Sequence, residues 1–128
     1  MPTIFPTIRT TVALASVLFS AAAIAHPQLL SSSPSDKAEV TAPQKIELRF
    51  SEKLTTQFSG ATLIMTGMPG MPNHGSMKVP ARVSGSEDPK SMIVTPIQTL
   101  APGSYKVDWR AVSSDTHPIN GSISFTVK

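Results

Sequence analysis

The chain has 128 residues, 40% of them hydrophobic, no cysteine, and a formal net charge of +3. With no thiol it can form neither a disulfide nor a thiolate metal site, so packing and hydrogen bonds must hold its fold. Its 11 Lys and Arg are scattered, with no basic run and no interleaved aromatics, which argues against nucleic-acid binding.

Taken in chain order, the first feature is a leader. Arg9 is the only early charge, and Thr11-Val-Ala-Leu-Ala-Ser-Val-Leu-Phe-Ser-Ala-Ala-Ala-Ile-Ala25 comes after it. A basic start, an apolar middle and a small-x-small exit at Ala23-Ile24-Ala25 make the pattern of a secretory signal peptide over residues 1–25. The apolar stretch is shorter than the roughly 20 residues that span a bilayer, so cleavage is expected, a retained anchor being the alternative. No later segment is long or apolar enough to embed the chain in a membrane. Cleavage leaves residues 26–128, one small domain with ten basic against eight acidic side chains.

Cutting after Ala25 makes His26 the first residue of the mature chain. An N-terminal histidine presents its α-amine and imidazole Nδ1 together and can close a chelate ring on a metal. Pro27 is next and has no amide N–H, so a second backbone nitrogen cannot be recruited, which favours completion by distant side chains. The plain alternative is a solvated terminal residue.

Beyond it the chain reads as strands. Ile46-Glu-Leu48-Arg-Phe50, Tyr105-Lys-Val107-Asp-Trp109-Arg-Ala111 and Ile123-Ser-Phe125-Thr-Val127 alternate apolar and polar residues, the period-2 signature of half-buried strands. Shorter candidates are Gln28–Ser32, Ala61–Met65, Val79–Ser84 and Met92–Pro96. Turn signals separate them at Ser33-Pro34-Ser35-Asp36, Glu87-Asp88-Pro89, Ala101-Pro102-Gly103 and Asn120-Gly121. About seven short strands predict an all-β Greek-key barrel or sandwich. Its core should hold Ile46, Leu48, Phe50, Leu63, Val107, Trp109, Ile123, Phe125 and Val127, with Met92 also inside.

Between two of these strands runs Met65-Thr-Gly-Met68-Pro-Gly-Met71-Pro-Asn-His74-Gly-Ser-Met77. Methionine normally fills core gaps, but these thioethers are interleaved with Gly67, Pro69, Gly70, Pro72, Asn73 and Gly75, which favour turns. Soft, neutral sulfur suits Cu(I), and imidazole serves several transition metals. Nearer the C-terminus, Asp115-Thr-His117-Pro118 places a carboxylate and an imidazole two residues apart; in an extended segment both point to one side. Together with the amine and imidazole of His26 they form a nitrogen/oxygen set suited to tetragonal Cu(II). A turn-forming Asp115 beside a solvent-facing His117 is the structural alternative.

His26-Pro27, Phe50-Ser51-Glu52, the Met65–Met77 loop and Tyr105-Lys-Val-Asp-Trp109-Arg-Ala-Val-Ser-Ser-Asp115-Thr-His117-Pro118-Ile119 together resemble the CopC/PcoC family of periplasmic copper-resistance proteins. The resemblance implies a seven-to-nine-stranded barrel or sandwich of cupredoxin-like or immunoglobulin-like topology. It implies separate copper sites at opposite ends: Cu(II) on His26, Asp115 and His117, and Cu(I) on His74 with thioethers from Met65, Met68, Met71 and Met77. It also implies a periplasmic carrier that transforms no substrate, with a multicopper oxidase and an inner-membrane copper permease as partners. Glu52 matches a family acid that would orient or supplement the Cu(II) site from outside it, or else stands as an exposed strand-end glutamate. One departure is that Pro72 and Asn73 both separate the third methionine from His74, where the family pattern has one residue. A rival reading takes the N-terminal histidine as part of the histidine brace of copper mono-oxygenases, against which the mature chain has a single Trp and a single Tyr. A second rival is a plain adhesion or structural β-sandwich whose methionines are incidental.

Overall fold

The computed structural model describes residues 26–71 and 75–128; the leader, Pro72, Asn73 and His74 lie outside them. Nine strands form among the described residues, in two sheets packed face to face. They are β1 (Leu29–Ser33), β2 (Ala38–Val40), β3 (Ile46–Phe50), β4 (Gly60–Gly67), β5 (Met77–Val79), β6 (Ala81–Gly85), β7 (Ser91–Pro96), β8 (Gly103–Val112) and β9 (Pro118–Val127). One sheet has the order β1-β3-β7-β6 and the other β2-β9-β8-β4-β5. All neighbours are antiparallel except β2, which runs parallel to β9. The architecture is the expected all-β sandwich, at the upper end of the expected strand number.

Alternation sets which side chains fill the space between the sheets. Ile46, Leu48 and Phe50 turn inward from β3 while Arg49 faces water. Tyr105, Val107, Trp109 and Ala111 do the same from β8, and Ile123, Phe125 and Val127 from β9. Every residue assigned to the core from sequence is buried, Met92 included. Trp109 meets Phe50 edge to face at 5.0 Å between ring centroids, and Tyr105 stacks on Phe125 at 5.5 Å. Aromatic pairs in these geometries add about 0.5–1.5 kcal/mol to the burial itself.

Three details differ from the sequence reading. Val79–Ser84 is not one strand: it breaks at Pro80, with β5 pairing to β4 in one sheet and β6 to β7 in the other. Proline has no N–H to give a ladder, so the chain changes sheets there, and Pro80 keeps only a carbonyl bond from Ile97 N–H at 3.1 Å. Asn120-Gly121 is not a turn but the interior of β9, opposite Arg110 and Trp109. The reason is steric: a Cβ on Gly121 would lie 2.3 Å from Trp109 Cζ2, so only glycine lets the indole lie across the strand. Finally, β2 is a three-residue strand whose pairing is non-local, and local alternation gave no sign of it.

β8 links the two ligand-rich segments. Its Ser104 pairs with Gly67 at the end of β4, where the methionine loop begins. Its far end, Val112, pairs with Pro118, and the intervening turn carries Asp115 and His117. Eight residues separate Ser104 from Val112, or about 27 Å at the usual strand rise. The two segments therefore lie at opposite ends of the sandwich.

Candidate metal centre

His26 precedes β1 and is held by its neighbours. Pro27 is fully buried, Gln28 N–H donates to Ser51 Oγ at 2.9 Å, and Ser51 N–H returns a bond to Gln28 carbonyl at 2.8 Å. These contacts tie the start of the domain to the end of β3. The β8–β9 turn is held as firmly. Val112 donates to Ser59 Oγ at 2.9 Å and accepts from Thr55 N–H at 2.7 Å, and Thr116 N–H closes a turn on Ser113 carbonyl at 3.0 Å.

Within that turn Asp115 and His117 do not belong to an extended segment, as their spacing suggested. Thr116 has φ of 65°, a left-handed conformation in a β-branched residue. Asp115 Oδ1 accepts the N–H of His117 at 3.2 Å and the hydroxyl of Ser113 at 3.0 Å. Asp115 is thus the turn-forming residue, and the turn also folds the His117 ring back towards the carboxylate.

The three side chains converge. His26 Nδ1 lies 2.8 Å from Asp115 Oδ2, and His117 Nδ1 lies 3.9 Å from the same oxygen. The two imidazoles stack with centroids 5.8 Å apart and planes inclined by 29°. One donor atom from each of the three residues falls within 4.8 Å of the other two, a grouping of a kind that could hold a metal ion. Metal bonds of about 2.0–2.2 Å to nitrogen and oxygen put neighbouring donors roughly 3–4 Å apart, so little rearrangement is needed. Asp115 is the shielded member, its side chain 18% exposed against 48% for His26 and 73% for His117. Burial, the largest single influence, pushes its carboxyl pKa up. The His117 N–H, the Ser113 hydroxyl and the two imidazoles together outweigh it and hold the carboxyl below the ordinary value. Glu52, two residues past the end of β3, is not part of this grouping.

The thioethers sit at the other end. Met65 lies in β4, only 8% exposed and packed in the core, directly across from Met77 of β5. Residues paired this way project to the same face of a sheet, so Met77, 51% exposed, lies beside Met65 on the edge strand. Met68 and Met71 bracket a four-residue turn in which each N–H bonds to the other's carbonyl, at 3.3 and 2.9 Å. Pro69 and Gly70 occupy its centre, and Gly70 takes the positive φ of 77° that a type II turn demands at that position. Both methionines are exposed, at 39% and 52%. His74 lies outside the described residues.

Ser113 and Ser51 were not singled out from sequence as functional residues. Ser51 showed only as part of the Phe50-Ser51-Glu52 segment. The one signal for Ser113 was its place two residues before Asp115, a spacing at which short polar side chains bond within a turn.

The fold is a two-sheet β-sandwich with a cluster of nitrogen and oxygen donors at one end that could hold a metal ion, exposed thioethers at the other, and no thiolate. Residues 29–128 match the CopC domain family model. Copper resistance protein C of Pseudomonas syringae pv. tomato is 62% identical over 114 residues, covering 89% of this chain and 90% of that protein. Copper resistance protein C of Escherichia coli is 58% identical over 112 residues, covering 88% and 87%. The crystal structure of PcoC, a methionine-rich copper resistance protein from Escherichia coli, superposes with a TM-score of 0.76 at 57% identity, covering 81% of this chain and 100% of that one. The chain belongs to the CopC family.

Proposed function

We propose that this protein is a periplasmic copper carrier serving copper resistance and homeostasis. It binds the metal in two oxidation states at two sites and passes it to partners. The observation that carries the reading is the convergence of His26, Asp115 and His117 within 4.8 Å at one end of a sandwich whose other end exposes methionine sulfur.

Copper is the cargo. At the first site Cu(II) would be held by His26 Nδ1, a His117 ring nitrogen and Asp115 Oδ2, with the α-amine of His26 once residues 1–25 are removed. His26 Nδ1 and Asp115 Oδ2 already lie 2.8 Å apart, and the cation would be held between them. The absence of an N–H on the buried Pro27 keeps copper from stripping further backbone nitrogens. At the second site Cu(I) would be held by His74 and thioethers drawn from Met65, Met68, Met71 and Met77, whose neutral sulfur favours the lower oxidation state. Glu52 would serve outside the Cu(II) ligands, as an orienting group.

A separation of about 27 Å is far too long for a metal to cross between donors in one step. A change of oxidation state would instead shift copper's preference from one site to the other, and separate ends suit transfer to different partners. The partners implied are a multicopper oxidase and an inner-membrane copper permease. Among the described residues no helix is long and apolar enough to cross a membrane.

The histidine-brace mono-oxygenase is the alternative from another class. Two features count against it: Asp115 would fill a copper position that oxygen chemistry needs open, and Trp109 and Tyr105 are both buried rather than displayed as a platform for a polymer. The test is intact mass and metal content of the protein recovered from the cell envelope under copper. The reading expects a chain beginning at His26 and carrying copper. A different first residue, or a metal-free protein under copper stress, would overturn it.

A further inference from the structure

The structure assigns a positioning role to Ser113: its hydroxyl saturates Asp115 Oδ1, so that the carboxylate is offered to Cu(II) through Oδ2 alone. This rests on the Cu(II) reading above and specifies how that site takes its carboxylate.

A carboxylate has two oxygens and can bind a cation through one or both. Which it does depends on what already occupies its lone pairs. Asp115 Oδ1 accepts two hydrogen bonds, from Ser113 hydroxyl at 3.0 Å and from His117 N–H at 3.2 Å. Oδ2 instead faces the imidazoles of His26 and His117. One oxygen is thereby tied to the protein and the other turned to the metal.

The grip is rigid because of where Ser113 sits. It is 2% exposed, so water does not compete for its hydroxyl. It directly succeeds Val112, whose N–H and carbonyl are bound by Ser59 and Thr55. Its own carbonyl accepts Thr116 N–H and so closes the turn. Ser113 thus fixes both the backbone that carries Asp115 and the oxygen that must not bind.

The consequence is a coordination count. With the carboxylate limited to one oxygen, the amine, two imidazoles and Oδ2 would offer four donors, one each. A carboxylate bound through both oxygens would present a fifth donor and change the Cu(II) environment.

The test compares the protein beginning at His26 with its Ser113→Ala, Ser113→Thr and Asp115→Asn variants, titrated with Cu(II) alone and with Cu(I) alone against competing chelators. Electron paramagnetic resonance is recorded on each Cu(II) form. Ser113→Ala is expected to weaken Cu(II) binding about ten-fold, the scale seen when a partner of a metal ligand is removed. It should also change the copper hyperfine splitting and leave Cu(I) affinity unaltered, with Ser113→Thr restoring affinity and spectrum. Parental Cu(II) affinity and spectrum in Ser113→Ala would overturn the proposal, whatever happened to its melting temperature. X-ray absorption on the unaltered Cu(II) protein decides the matter even if Ser113→Ala fails to fold: two carboxylate oxygens at bonding distance overturn it, one supports it. Asp115→Asn separates the two levels, since a loss of Cu(II) affinity there with none in Ser113→Ala refutes only the role of Ser113. No loss in Asp115→Asn refutes the site itself.

Discussion

At the Val112 end of β8 the candidate nitrogen and oxygen donors are held by hydrogen bonds of the fold itself, whereas at the Gly103 end most of the thioethers stand in solvent. Asp115 accepts hydrogen bonds from Ser113 and His117 and meets His26 at 2.8 Å. Met68, Met71 and Met77 have no comparable side-chain bonds among the described residues and are 39–52% exposed. The contrast stems from the atoms. Carboxylates and imidazoles are strong hydrogen-bonding groups, so a fold can aim them with the same forces that build its turns. A thioether is a weak acceptor, so backbone geometry and packing are the means left to place it. The Pro69-Gly70 turn does the first, and burial of Met65 across from Met77 does the second.

Acidification should separate the two ends most. In model peptides an α-amine titrates at about 8 and an imidazole at about 6.5, and a thioether not at all. Cu(II) must displace up to three protons, and Cu(I) at most the one on His74. Between pH 7 and 5 three such protons would lower Cu(II) affinity on the order of 10⁵-fold, and one would lower Cu(I) affinity tens-fold. Chelator competition across that range checks it; parallel losses would erase the distinction. Asp115 adds nothing to this window. Its carboxyl is held below the ordinary value, so it remains ionised there, and its contribution to folding is lost only as pH drops below about 4.

His117→Ala comes next. It should weaken Cu(II) binding about 100-fold, roughly 2.8 kcal/mol, and leave Cu(I) binding unchanged. The side chain is 73% exposed, so the melting temperature should hold, surface changes usually costing within about 0.5 kcal/mol. The reciprocal experiment joins Met68→Leu to Met71→Leu, which should lower Cu(I) affinity at least about ten-fold, about 1.4 kcal/mol, and spare Cu(II). Loss of both metals in either variant would mean that the ends are not independent. Gly121→Ala should have the smallest effect on binding. Its Cβ would collide with Trp109, costing about 1–3 kcal/mol of stability, as overpacking does. Thermal unfolding should report that cost, while both affinities of the folded protein stay as they were.

How far the sequence could be read varied with the range of the forces involved. β3 and the core of β8 were legible to the residue, because burial of one face writes itself into alternation. The division at Pro80 was written there too, in a residue without an N–H, yet the apolar run across it masked the change of sheet. Asn120-Gly121 misled because a dipeptide that suits a turn equally suits a strand crossed by an indole, and Trp109 is twelve positions from Gly121. The His26, Asp115 and His117 set was legible from ligand chemistry, but the reason that Asp115 and His117 meet was not. A left-handed Thr116 and the bonds of Ser113 depend on the folded turn. Which thioethers act together remained open in the sequence, since a turn brings Met68 to Met71 while a strand pair sets Met65 beside Met77.

The most direct measurement is a Cu(II) and Cu(I) titration of two proteins, one beginning at His26 and one with a single extra residue before it. The account predicts that the extension removes tight Cu(II) binding, because the α-amine is displaced from the imidazole it must join, while Cu(I) binds both proteins alike. Equal Cu(II) affinity in the two would contradict it.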